Sequence, residues 1–219
     1  MNKGMQYTFG IWLLLATPFL AGCKTSVEVE VTVMDLLFGQ TRMLEADLRT
    51  QVTDCQTGDD AAASPGSLAE RQRMISEVWP DAEYQTCVPR DGSHSAQFRI
   101  PIALDKDRDG KLASDQHINL VSSEDALLML AVPDTLRARI DRVFGEGLRA
   151  RYHPIEARIR ILNDHGNAIP LQVFSVYVDE EPHIFGDITL RQNGSIRLRL
   201  SDVTIDNALD KRTSIILMR

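Results

Sequence analysis

Residues 26–33 read Ser26-Val27-Glu28-Val29-Glu30-Val31-Thr32-Val33. Valine stands at every second position, with polar residues between. Successive side chains of a strand point to opposite faces, so the four valines share one face and the polar residues the other. The branched Cβ of valine also favours a strand over a helix. The segment therefore predicts a half-buried strand, in a sheet with one face on a core and one in water.

The same alternation returns downstream. Ala46, Leu48, Thr50 and Val52 share one side of residues 44–52. Ile155, Ala157, Ile159 and Ile161 repeat the pattern, as do Ile196, Leu198 and Leu200 after the hairpin signal Gln192-Asn193-Gly194. Phe98–Leu104, Ile118–Val121, Val173–Val178, Ile184–Leu190 and Ser214–Met218 are further strand-like runs, Pro101 marking an edge or a bulge. Leu127–Val132 reads equally as helix or strand. Two helices stand out. Ser67-Leu68-Ala69-Glu70 is a capping box that opens the first, with Leu68, Ile75 and Val78 along one side and Pro80 as its stop. Pro133-Asp134-Thr135 opens the second, with Leu136, Ile140 and Val143 along one face. A helical turn is expected over Asp206–Leu209. The expected fold class is α+β, predominantly antiparallel β with about two short helices and a sandwich-like C-terminal part.

Composition narrows the function classes. The chain has 219 residues, 43% of them hydrophobic and 25% charged, which excludes a disordered chain and a polytopic membrane protein. Its formal charge of −7 argues against nucleic acid as a partner, because that needs a basic footprint.

The N-terminus has its own logic. Lys3 precedes the apolar run Phe9–Leu20, which is too short to span a bilayer and is interrupted by Pro18. This is the pattern of a secretory signal. It ends in Leu20-Ala21-Gly22-Cys23, which resembles a bacterial lipobox. Lipoproteins of that kind are cut before the cysteine, and Cys23 would carry covalent lipid, palmitate among its chains. Two or three acyl chains anchor stably, at about 0.8 kcal/mol per buried CH₂. Lys24 follows, where an Asp tends to hold enteric lipoproteins in the inner membrane; that resemblance favours the outer membrane, facing the periplasm. The expected organisation is a lipoprotein signal peptide over 1–22, an α+β region over 23–145 and a mostly β region over 146–219, the last two packed as one body. Any division falls near 145–153, where Gly145, Gly147 and Pro154 cluster.

Setting Cys23 aside leaves Cys55 and Cys87. An even pair in an oxidising compartment reads as a disulfide, here structural because there is no C-x-x-C. Asp105-Lys106-Asp107-Arg108-Asp109-Gly110-Lys111 matches the first half of a calcium loop. Asp105, Asp107 and Asp109, with the Lys111 backbone carbonyl, would be the ligands of a Ca²⁺ ion. Gln116 stands where the bidentate Glu of an EF-hand belongs, and a solvated acidic hairpin, its aspartates neutralised by Lys106, Arg108 and Lys111, fits the residues as well. Arg158 and Arg160 share the polar side of one strand, and Arg197 and Arg199 that of another. As neighbours they would form an anion-binding patch, or a solvated face paired with Glu156 and Asp187. The histidines are scattered, and no nucleophile elbow, phosphate loop or dinucleotide motif is present.

The set Gly22-Cys23-Lys24-Thr25, the valine strand, Asp81-Ala82-Glu83-Tyr84, Leu104-Asp105-Lys106-Asp107, Asp109-Gly110-Lys111-Leu112, Asp125-Ala126-Leu127-Leu128 and Leu200-Ser201-Asp202-Val203 resembles a family of small Gram-negative lipoproteins of unknown function. The resemblance implies a lipoprotein with a paired-cysteine framework and the Asp-rich loop. It implies no activity. The expected function is that of a lipid-anchored envelope lipoprotein. It would act without catalysis, as a binding or adaptor domain for an envelope protein partner. A calcium-stabilised structural lipoprotein and a periplasmic hydrolase are the alternatives.

Overall fold

The computed structural model describes residues 25–55, 66–90, 93–106, 111–144 and 155–219. The elements in chain order are β1 (Thr25–Thr32), α1 (Val33–Phe38), β2 (Arg42–Val52), α2 (Leu68–Val78), β3 (Glu83–Arg90), β4 (Ser93–Lys106), β5 (Asn119–Ser122) and β6 (Ala126–Ala131). There follow α3 (Asp134–Phe144), β7 (Ile155–Leu162), β8 (Ile169–Val178), β9 (Glu181–Leu190), β10 (Ser195–Leu200), α4 (Asp202–Lys211) and β11 (Thr213–Met218).

The strands close on themselves. The order β10-β7-β1-β2-β4-β5-β6-β11-β8 returns to β10, a barrel of nine strands, with β3 added to β4 and β9 to β8 outside the ring. The expected α+β chain with two helices and a sandwich-like C-terminal part is thereby corrected: the protein is a mostly β closed barrel with four short helices. The reason lies in where the C-terminal strands go. β7 lies parallel to β1, with Val27, Val29 and Val31 in register with Ala157, Ile159 and Ile161, and β11 pairs with β6. Every half-apolar strand then faces one shared interior, so no second sheet is needed to cover it. These pairs also join the two regions expected on either side of residues 145–153, a segment that lies outside the described residues.

Seven of the nine pairings around the ring are antiparallel and two, β1–β7 and β4–β5, are parallel. An odd number of reversals cannot return a flat ring to its starting direction. The closure lies instead in β8, which pairs with β9 along its length and takes β11 at Gln172–Val173 and β10 at Val176–Val178 one after the other.

Alternation sets the core. Val27, Val29 and Val31 are buried, as are Ala46, Leu48 and Val52 on β2. Val33 is buried too, but it begins α1 instead of continuing the strand. Thr32 caps that helix through its hydroxyl, which accepts from the Asp35 N–H at 3.1 Å. Pro101 stands within β4, opposite Glu45 of β2. It falls between Arg99, the last residue of β4 paired with β3, and Ala103, the first paired with β5. A proline has no N–H to give, and here the second edge of β4 has no strand to receive one. The capping box forms at α2, with the Ser67 hydroxyl accepting from the Glu70 N–H at 3.3 Å, while Glu70 reaches back to the Gly66 N–H. Every strand, helix and core residue described lies within residues 25–219.

Candidate functional site

Two features project from the barrel or mark its surface: an arginine–glutamate network on β7 and β10, and the β8–β9 hairpin. The strand alternation that buries Ile159, Leu198 and Leu200, and half-buries Ala157, turns Arg158, Arg160, Arg197 and Arg199 outward. The structure brings the four arginines together: Arg197 is the register partner of Arg160, and Arg199 of Arg158. Three of them are paired. Arg158 bonds Glu156 and lies 4.0 Å from Glu180, Arg199 bonds Glu180 at 3.0 Å and lies 3.8 Å from Glu156, and Arg160 meets Glu30 at 3.2 Å. Asp187, read from the sequence as a counter-charge, instead accepts from the Gln172 amide. The Arg199 guanidinium also lies 3.6 Å over the Tyr177 ring. Burial pulls its pKa down, but the hydrogen bond and charge of Glu180, with the charges of Tyr177 and Glu156, outweigh this and raise it above the ordinary arginine value.

Glu180 was not predicted because it sits in a turn. Asp179 and Glu180 connect β8 to β9 with φ of 47° and 72°. A two-residue hairpin turn with both central φ positive normally carries Asn-Gly. Glu180 keeps the costlier conformation and supplies the carboxylate that Arg199 needs.

The hairpin itself leads away from the ring. β9 pairs with β8 along its length, Ile169 with Leu190 through Val178 with Glu181, and its other edge has no strand partner among the described residues. Ile184 is 90% exposed and Phe185 59%. Phe185 packs against Phe174 of β8, the ring centroids 5.3 Å apart and the planes tilted by 60°, which fixes the ring on the face of the hairpin. Pro182 and Asp187 blunt the edge on either side of this apolar pair.

The other predicted sites separate. Cys55 and Cys87 form a disulfide, with Cα atoms 5.7 Å apart, and α2 lies within the loop it closes. Cys23 lies outside the described residues, as do Asp107 and Asp109. Asp105 is buried and already committed: it accepts from the Thr41 hydroxyl at 3.0 Å and the Ala113 N–H at 2.7 Å. No group of three or more metal-ligating side chains occurs among the described residues.

One cluster was not read from the sequence. The Ser114 hydroxyl lies 2.8 Å from His117 Nδ1, and His117 Nε2 lies 3.1 Å from Asp81. The residue types are those of a hydrolytic triad, but Ser114 Oγ also accepts from the Gln116 and His117 N–H groups, each at 3.1 Å. That hydroxyl is the hinge pin of a turn, and Asp81 is mostly exposed, so water screens the pair. The buried Asn119 braces the same turn through the Ser114 N–H and the Ser114 and His117 carbonyls.

A family model matches residues 25–219, the whole span of the described elements. The chain belongs to DUF7424, a domain of unknown function. No curated protein and no solved structure matches it. What the arginine network and the β9 edge of this DUF7424 barrel can do follows from their chemistry alone. Among its described residues no helix is long and apolar enough to cross a membrane.

Proposed function

We propose that this protein is a lipid-anchored lipoprotein of the Gram-negative cell envelope, held in the outer membrane and facing the periplasm. There it acts without catalysis, as an adaptor that receives an envelope protein on strand β9. The anchor rests on the secretory run Phe9–Leu20 and the lipobox Leu20-Ala21-Gly22-Cys23. β1 begins at Thr25, so a lipid on Cys23 keeps the barrel close to the membrane surface.

The observation that carries the adaptor reading is the edge of β9, unpaired among the described residues, with Ile184 and Phe185 exposed on it. An added strand gains main-chain hydrogen bonds along such an edge, and side chains at alternate positions set its specificity. Exposed edges are usually guarded by charge or proline, and the guard here leaves its centre apolar.

The test has two arms. Labelled palmitate should enter the full chain in cells and be lost with Cys23→Ala; no labelling overturns the anchor. A photo-crosslinking amino acid at Ile184 should give a discrete adduct that is missing when the same group replaces Gln51, an exposed residue of β2. Equal or absent adducts at the two positions overturn the adaptor reading.

A further inference from the structure

We propose that the segment received on β9 is an extended stretch with two basic residues six apart and an apolar pair between them, an inference that rests on the reading of β9 as a docking edge. The hairpin that presents this edge is charged in one sense. Ile169–Leu190 carries Asp179, Glu180, Glu181 and Asp187, and neither lysine nor arginine. Two of these carboxylates are engaged by β10: Asp179 accepts from the Arg197 N–H, and Glu180 bonds the Arg199 guanidinium. The other two keep their charge uncompensated. Glu181 has no partner among the described residues, and Asp187 accepts only from the neutral Gln172 amide, at 3.1 Å. Both are exposed, and they stand on either side of Ile184 and Phe185. Lysine is the commonest guard of a bare edge. An acidic guard turns away acidic segments and a second copy of this same edge, but it draws in a basic one.

Strand geometry places the complementary charges. Period two along β9 puts Glu181, Phe185 and Asp187 on one face of the strand and Ile184 on the other. Residues opposite one another on neighbouring strands have Cβ atoms about 4.5–5.5 Å apart, inside the screening length of roughly 8 Å at physiological salt. An antiparallel partner strand therefore sets a lysine or arginine against Asp187, two apolar residues against Phe185 and Ile184, and a second basic residue against Glu181, in that order along its chain. Pro182 has no N–H to give, so the added main-chain bonds run from His183 onward and Glu181 acts through its charge. The main chain and the apolar pair hold the segment, and the two carboxylates choose which segment it is.

The test uses the full chain as purified from cells, in neutral detergent, and dye-labelled peptides with blocked ends. The first is Lys-Thr-Val-Val-Thr-Thr-Lys; in the others glutamine or glutamate replaces both lysines. Fluorescence anisotropy should rank them lysine, glutamine, glutamate. The first and last should differ about tenfold, the factor expected when opposite-charge pairs become like-charge ones. Glu181→Lys combined with Asp187→Lys should reverse the order, and both rankings should flatten in about 1 M salt. Both substituted positions are exposed, so the double variant leaves the core untouched. Equal affinities of the parent for all the peptides overturn the proposal but not docking on β9, which the Ile184 adduct decides separately. An order that the double variant leaves unchanged places the preference elsewhere and overturns it too, as does binding of none of the peptides. A parent chain that sediments as a dimer, and that Ile184→Lys returns to a monomer, assigns the edge to a second copy and also overturns it.

Discussion

Arg199 faces Arg158 directly across the β7–β10 ladder, and both guanidiniums draw on the carboxylates of Glu156 and Glu180. Like charges opposite one another weaken a strand pair, so the glutamates hold the ladder closed. The Glu156 side chain is 14% exposed and that of Glu180 55%, so the first is screened less. Glu156→Gln should lower stability by about 1–2 kcal/mol and Glu180→Gln by under about 1 kcal/mol. Urea unfolding measures both. The loss should shrink in about 1 M salt, where the screening length is roughly 3 Å.

The disulfide joins residues 32 apart and encloses α2. Cross-linking a loop of that size restricts the unfolded chain by about 3–4 kcal/mol. Cys55→Ser with Cys87→Ser should lower the unfolding free energy by that amount, as should a reductant acting on the unsubstituted protein. Equal stability before and after reduction contradicts the expectation.

Asn163 follows β7 and is almost fully buried. Its amide donates to the carbonyls of Asn167, Leu190 and Arg191, and its oxygen accepts from the His165 N–H. One side chain thus satisfies the end of β9 and the turn into β10. Asn163→Ala strands those groups and should cost about 2–3 kcal/mol in denaturant unfolding, well beyond the ordinary loss of a single cap.

Asp164 caps α1 from a distance, its carboxylate accepting from the Met34 N–H at 2.8 Å. Burial pushes its pKa up, but the hydrogen bonds from Met34, Thr32 and its own backbone, with the charge of His165, hold it below the ordinary 3.8. A carboxylate with a depressed folded pKa adds stability above its unfolded value and loses it as pH falls through the folded one. Asp164→Asn keeps an acceptor for Met34 but cannot titrate. Its melting temperature should fall less than that of the parent between about pH 5 and pH 2.

The parts of the fold written locally were legible. The alternation of β1 and β2 marked their buried residues, and Ser67 marked the start of α2. Pairing between distant segments was not. β7 joins β1 from far along the chain, and nothing in Ile155–Leu162 names that neighbour or makes the pair parallel. β3 carries no alternation, because Glu83-Tyr84-Gln85-Thr86 lies on an outer branch of the sheet with both faces largely exposed. α1 continues the valine pattern by one residue and turns helical only because Thr32 and Asp164 satisfy its first N–H groups. The arginine pairs followed from period two, while Glu180, their shared partner, follows from a turn conformation that no periodicity reveals.

The ring has one seam. β8 meets β11 at Gln172 and Val173 and β10 from Val176 to Val178, and Ser175 bends between them with φ of 49°, bonded through its hydroxyl to Ser201. Without β8 the remaining eight strands form an open sheet whose two outermost members are β10 and β11. The barrel therefore behaves like a cask with a keystone stave, and β11 is one of the two staves it locks. Residues 213–218 are structural timber, and trimming them leaves the hoop unclosed.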